Sequence, residues 1–134
     1  MKIAEKLFNL ALEARKRSYS PYSKFKVGAA IYADDEKFYS SCNVENVSYP
    51  CGTCAETGAI SSMIAGGGKK IKEILVVADS ENIISPCGGC RQRIMEFSDK
   101  NTYVHLAGLD GIKKTMKAHE LLPLAFDEEE LRND

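Results

Sequence analysis

The sequence predicts one α/β domain in three layers, α/β/α, and three observations carry that expectation. Apolar residues recur at helical spacing near the start. The run Ile74-Leu75-Val76-Val77-Ala78 is continuously apolar. Helix-like and strand-like stretches alternate along the chain. A strand that is apolar at every position is buried on both faces, so helices must cover the sheet above and below. Residues 1–134 are read as a single domain, long enough to bury roughly two thirds of the surface that the unfolded chain exposes and too short for a second core.

Ile3, Leu7, Leu10 and Ala14 share one face, with Lys2, Glu5, Asn9, Glu13 and Lys16 among the polar positions, so residues 1–17 are expected to form an amphipathic helix that covers the core. Ser20-Pro21-Tyr22-Ser23 ends it, because proline cannot continue the hydrogen-bond ladder and biases its predecessor toward extended backbone. Two β-rich runs, residues 26–32 and 37–42, flank Ala33-Asp34-Asp35-Glu36 and read as an antiparallel hairpin. Residues 43–53 lack periodicity and contain Pro50 and Gly52. A helix over residues 54–65 follows, stopped by Gly66-Gly67-Gly68. After the central strand at 74–78 come a helix over 88–97, a strand at 103–106, a weaker strand at 113–116 and a tail around Leu121-Leu122-Pro123. The acidic run at 127–130 reads as solvated.

A net charge of -1, with lysines spread along the chain, offers no footprint for a polyanion, so nucleic acid is not an expected partner. No apolar run approaches the roughly 20 residues that cross a bilayer, and the opening segment lacks a signal-peptide core, which points away from membranes and toward the cytoplasm. Five cysteines are an odd number, which argues for thiol or metal chemistry over a closed disulfide framework.

The cysteine positions carry the chemistry. Cys54-Ala55-Glu56 opens one expected helix and Pro86-Cys87-Gly88-Gly89-Cys90 opens another, an arrangement that matches the signature of zinc-dependent deaminases in its three-cysteine form. A Cys-x-x-Cys at a helix N-terminus turns both sulfurs to one side, and the positive end of the helix dipole favours the thiolates that ligate metal. Cys54, Cys87 and Cys90 are therefore the expected zinc ligands, with the fourth tetrahedral position left to water, the mark of a catalytic site. Glu56, two residues past a ligand, is the expected proton shuttle.

The competing reading is a closed structural zinc ribbon built from Cys51, Cys54, Cys87 and Cys90, a binding module without catalysis. Ribbon knuckles favour separations of about 15–20 residues and have no use for an adjacent glutamate. A thioredoxin-like redox role fits less well, since neither pair sits in a first βαβ unit. His105 and His119 are read as packing or surface residues, Cys42 as a small buried residue, Met63 and Met95 as core, and the triple glycine as a helix stop, not a phosphate cradle.

At these residues the sequence resembles the short-chain cytidine deaminase family, over residues 20–126. The shared blocks include Ser20-Pro21-Tyr22-Ser23-Lys24-Phe25, Asn43-Val44-Glu45-Asn46, Ser48-Tyr49-Pro50, Pro86-Cys87-Gly88-Gly89-Cys90-Arg91-Gln92 and Glu120-Leu121-Leu122-Pro123. The resemblance implies a five-stranded mixed sheet, zinc as cofactor, and hydrolytic deamination of cytidine or deoxycytidine by a zinc-activated water, with Glu56 moving the protons. It also implies sugar contacts from Asn43 and Glu45, a pyrimidine contact from Phe25, edge recognition by the Ala55 backbone, and Phe126 reaching the pocket of a neighbouring subunit in a homotetramer with shared sites. Many three-cysteine members carry arginine directly after the catalytic glutamate, where this chain has Thr57, and Arg91 or Arg93 are the possible substitutes. A deaminase of a modified cytosine nucleoside such as blasticidin S is the alternative within the enzyme class. Retention of Asn43-Val44-Glu45-Asn46 favours the ordinary nucleoside, and deamination of a polynucleotide would need a basic channel.

Overall fold

Five β-strands and four α-helices follow one another in the computed structural model, which describes residues 2–127. Of the acidic run expected at 127–130, only Asp127 lies within the described residues. Helix α1 (Ile3–Arg15) buries Leu7 and Ala11, with Glu5 in its first turn and Arg15 in its last complementing the helix dipole. Strands β1 (Val27–Ala33) and β2 (Phe38–Cys42) form the expected antiparallel hairpin, in register from Gly28 opposite Cys42 to Tyr32 opposite Phe38. Its turn is closed by the Asp35 carboxylate, which accepts the Lys37 N–H at 3.0 Å.

Helix α2 (Ala55–Ala65) ends at Gly66, and Gly67 takes φ +104°, a left-handed conformation that suits glycine. Strand β3 (Ile71–Ala78), helix α3 (Gly88–Glu96), strands β4 (Tyr103–Gly108) and β5 (Gly111–Lys117), and the short helix α4 (Ala118–Leu121) complete the described chain.

The sheet order is β2-β1-β3-β4-β5, antiparallel between β1 and β3, parallel between β3 and β4, and antiparallel between β4 and β5. It is the mixed five-stranded sheet that the resemblance implies. The apolar run of β3 divides between two cores. Ile74 and Val76 pack with Ala59, Ile60 and Met63 of α2 and Ile94 of α3, while Leu75 and Val77 face Leu7 and Ala11 of α1. The alternation of side chains along a strand therefore produces the three layers. Gly28 permits the close approach of α1, since a Cβ there would lie 2.1 Å from the Ala11 carbonyl oxygen.

Several expectations need adjustment. Strand β5 is longer than residues 113–116. As an edge strand with mostly exposed side chains, including Lys113 and Lys114, it lacks the apolar alternation that reveals a strand. The tail becomes helix α4, because Ala118 and Leu121 are buried against the core. Cys42 is only half-buried, on edge strand β2. Met63 is fully buried, and Met95 packs against the same core from its edge. His105 is a buried packing residue whose ring nitrogens meet Thr115 Oγ1 at 2.8 Å and Glu73 Oε1 at 2.7 Å, and His119 lies on the surface.

Candidate active site

The site forms at the carboxyl end of β3, where α3 begins after the 79–87 loop and where β1, antiparallel to β3, begins beside Ala78. Ligand crevices of open α/β sheets form at such strand ends. The 43–53 segment, irregular by sequence, is fastened there. Val44 and Thr53 exchange backbone hydrogen bonds of 3.0 and 2.9 Å, and Tyr19 and Asn43–Glu45 are tied by bonds of 3.1 and 2.8 Å. A short 3-10 turn, Tyr49–Cys51, folds inside this pinched loop. The closure delivers Cys54 to the N-cap of α2, in the extended backbone that a cap residue adopts.

Cys87 occupies the same position on α3, with Cys90 in that helix's first turn. The sulfurs of Cys54, Cys87 and Cys90 all lie within 4.8 Å of one another. A tetrahedral ion with Zn–S bonds of about 2.3 Å sets its sulfurs about 3.8 Å apart, so the three thiols fit zinc with little movement. Cys51 stands outside this group, exposed, with its Sγ 3.6 Å from Ser48 Oγ. Among the described residues the cluster therefore has three sulfurs, and the four-cysteine ribbon is not formed.

Glu56 follows as the second residue of α2 and is 5% exposed. Burial pushes its carboxyl above the ordinary carboxylate range, offset in part by hydrogen bonds from its own amide and the Cys90 thiol and by the positive charge of Arg93. The thiols differ among themselves. The Cys87 thiol is held below its usual value, chiefly by the Cys90 backbone N–H, whereas burial raises the Cys54 and Cys90 thiols. A helix N-terminus thus prepares one thiolate, while the other two depend on the charge around them.

A cavity of about 660 Å³ opens beside the cluster, and its lining includes Cys54, Ala55, Glu56 and Cys87 together with Val76, Phe25, Asn43 and Glu45. Phe25, which lines the cavity, is 37% exposed. Asn43 Oδ1 accepts the Val27 N–H at 2.9 Å and the Ser18 hydroxyl, and its Nδ2 donates to the Phe25 carbonyl at 2.9 Å. Glu45 Oε1 accepts the Tyr22 and Ser23 N–H groups at 3.0 and 3.2 Å, and Oε2 accepts the Ser23 hydroxyl. These bonds, led by that hydroxyl, hold the Glu45 carboxyl below its ordinary value. Both side chains thus fasten the turn that carries Phe25 while lining the cavity themselves.

Of the residues singled out by sequence, Phe25, Asn43, Glu45, Cys54, Ala55, Glu56 and Cys87 meet at this cavity, with Cys90 buried behind. Phe126 does not join them. It lies 59% exposed beside a second depression, next to His119 and Leu124. Ser18 and Ser23, which anchor Asn43 and Glu45, and Ser85 on the cavity wall stand out by no motif of their own in the sequence. Only a hydroxyl beside a turn marks them, a signal common to many loops. Arg91 hydrogen-bonds Pro86 O, Leu121 O and Ser85 Oγ at 2.9, 2.7 and 2.6 Å, bracing the loop ahead of Cys87.

The family pattern described as "Cytidine and deoxycytidylate deaminase zinc-binding region" matches residues 1–106. A cytidine deaminase of Sporosarcina psychrophila is 43% identical over 127 residues, covering 95% of this chain and 93% of that protein. One from Halalkalibacterium halodurans is 38% identical over 127 residues, covering 95% and 96%. The crystal structure of cytidine deaminase from Burkholderia pseudomallei aligns with TM-score 0.87 at 40% identity, over 94% of this chain and 100% of that one.

Proposed function

The chain belongs to the cytidine and deoxycytidylate deaminase family and is a zinc-dependent hydrolytic deaminase, and we propose that it converts cytidine and deoxycytidine to their uracil nucleosides with release of ammonia. The observation that carries this reading is a buried carboxyl, Glu56, set between a three-thiol cluster and a cavity sized for a small molecule.

Cys54, Cys87 and Cys90 are the residues that would hold the metal. Zinc held there would supply a Lewis acid that activates water for attack. Glu56 moves the protons, first to the ring nitrogen beside the amino-bearing carbon and then to the departing amino group. Burial raises its affinity for a proton, which suits a group that must donate a proton as well as accept one. Phe25 offers an apolar face to the pyrimidine, and the Ala55 backbone lies at cavity level to read its edge. Asn43 and Glu45 present an amide and a carboxylate to sugar hydroxyls, pre-oriented by their bonds to the 18–27 segment.

The reading extends to the assembly. A homotetramer with Phe126 reaching a neighbouring site is supported by that ring's exposure and by Val47, Tyr49 and Leu124, each at least 76% exposed. It extends also to one domain over residues 1–134 and to the cytoplasm, a reducing compartment that suits thiol ligands. No helix among the described residues is long and apolar enough to cross a membrane.

The test is zinc-loaded protein incubated with cytidine and with deoxycytidine, following ammonia release, alongside Glu56→Gln. Glu56→Gln is expected to keep its zinc and lose about 10²–10⁴-fold in turnover. Wild-type turnover in this variant would remove Glu56 from the proton path, and absence of ammonia release by the zinc-loaded wild type would overturn the substrate assignment.

A further inference from the structure

Three thiolates around one divalent ion leave a negative centre, with the Glu56 carboxyl beside it. The share of that charge carried by Cys90, the buried member of the three, is taken out of water and needs compensation close by. The helix ends supply part of it, since the backbone N–H groups of Gly89 and Cys90 serve Cys87. Cys90 is fully buried, and besides Glu56 and the other two thiols, two further side chains meet its sulfur. Thr57 Oγ1 and Arg93 Nη1 each lie 4.0 Å from Cys90 Sγ, one from α2 and one from α3.

Arg93 is the cation of the two, and its placement has an independent signature. A Cβ built on Gly89 would come within 3.1 Å of Arg93 Nη1, so the guanidinium folds back along α3 over a residue with no side chain, toward the metal-binding turn. The other candidate, Arg91, directs its nitrogens to Pro86, Leu121 and Ser85. We infer that Arg93, assisted by the Thr57 hydroxyl, is the positioning residue whose fixed charge balances the Cys90 thiolate and so sets how tightly the centre holds zinc. This inference rests on the zinc-deaminase reading. Neither Arg93 nor Cys90 lies on the cavity wall, so the residue acts through the metal centre and not by touching the nucleoside.

The experiment compares wild type, Arg93→Met, which removes the charge and keeps an apolar stem, and Arg93→Lys, which keeps the charge. Zinc transfer from each loaded protein to a colorimetric chelator is measured together with kcat and KM for cytidine. Arg93→Met is expected to hold zinc about 10-fold or more weakly, with kcat falling and KM little changed, and Arg93→Lys is expected to lie between it and wild type. Because Arg93 is exposed, the variants are expected to fold, which circular dichroism checks. A Thr57→Val protein supplies a second measurement, with a smaller loss of zinc expected. Zinc retention in Arg93→Met equal to wild type overturns the inference, as does an equal loss in Met and Lys variants, which would assign the effect to packing. A wild type that neither binds zinc nor releases ammonia instead defeats the underlying reading, so the two failures are distinguishable.

Discussion

A carboxyl as buried as Glu56 is expensive in apolar surroundings and persists where a function uses its raised proton affinity. Cys51 makes the opposite case. It shares a Cys-x-x-Cys spacing with Cys54, yet the pinched 44–53 loop leaves it exposed and facing Ser48, outside the cluster. Replacing Cys51 with Ser is therefore expected to leave zinc stoichiometry unchanged and kcat within about twofold of wild type, as surface substitutions generally do. Metal analysis and steady-state kinetics check this, and loss of zinc would reinstate the ribbon.

Two close contacts between elements decide how they dock. At Gly28 a methyl group would collide with the Ala11 carbonyl and with Arg15 Cβ, at 2.1 and 2.9 Å, atoms of a helix that cannot yield without leaving the sheet. Gly28→Ala is expected to destabilise the fold by about 1–3 kcal/mol or more through overpacking, read as a lower urea midpoint. Asp34 joins the hairpin turn to the segment before β3 by accepting the Lys69 and Lys70 N–H groups at 2.9 and 3.2 Å. These bonds, Lys69's first, hold its carboxyl below the ordinary value. A lowered folded-state pKa means that the stabilisation is present above the ordinary aspartate pKa near about 3.9 and is lost as pH falls through the lower folded value. Asp34→Asn is thus expected to melt below wild type at pH 7, with the two melting temperatures converging in acid. A gap that is constant with pH would show that the charge contributes nothing.

At the scale of the whole molecule, the loop from β2 to α2, the loop from β3 to α3 and the turn before β1 converge at one end of the sheet, and the cavity is built from all three. The proposed homotetramer predicts a solution mass of four chains by light scattering. It also predicts that Phe126→Ala raises KM for cytidine without loss of zinc, because the ring serves a neighbour's cavity and no metal ligand. A monomeric protein with full activity would defeat the shared-site reading.

The three-cysteine cluster is legible in the chain because its signal is local. Cys87 and Cys90, three residues apart, share one face of a helical turn, and Cys54 with Glu56 opens another helix within a single turn. The continuous apolar run of β3 declared a strand buried on both faces for the same reason, since period-two geometry is local. Strand β5 and helix α4 were faint because an exposed edge strand and a one-turn helix carry little periodic pattern. Only the tertiary structure decided that Cys51 stays out of the metal cluster, that Ser18 and Ser23 orient Asn43 and Glu45, and that Arg93 approaches Cys90 while Arg91 braces a loop. The two serine contacts join residues distant in the chain, whereas Cys51 lies three residues from Cys54 and the arginines share one helix with Cys90. All of them depend on where loops close and which way long side chains turn, and residue spacing alone does not determine either.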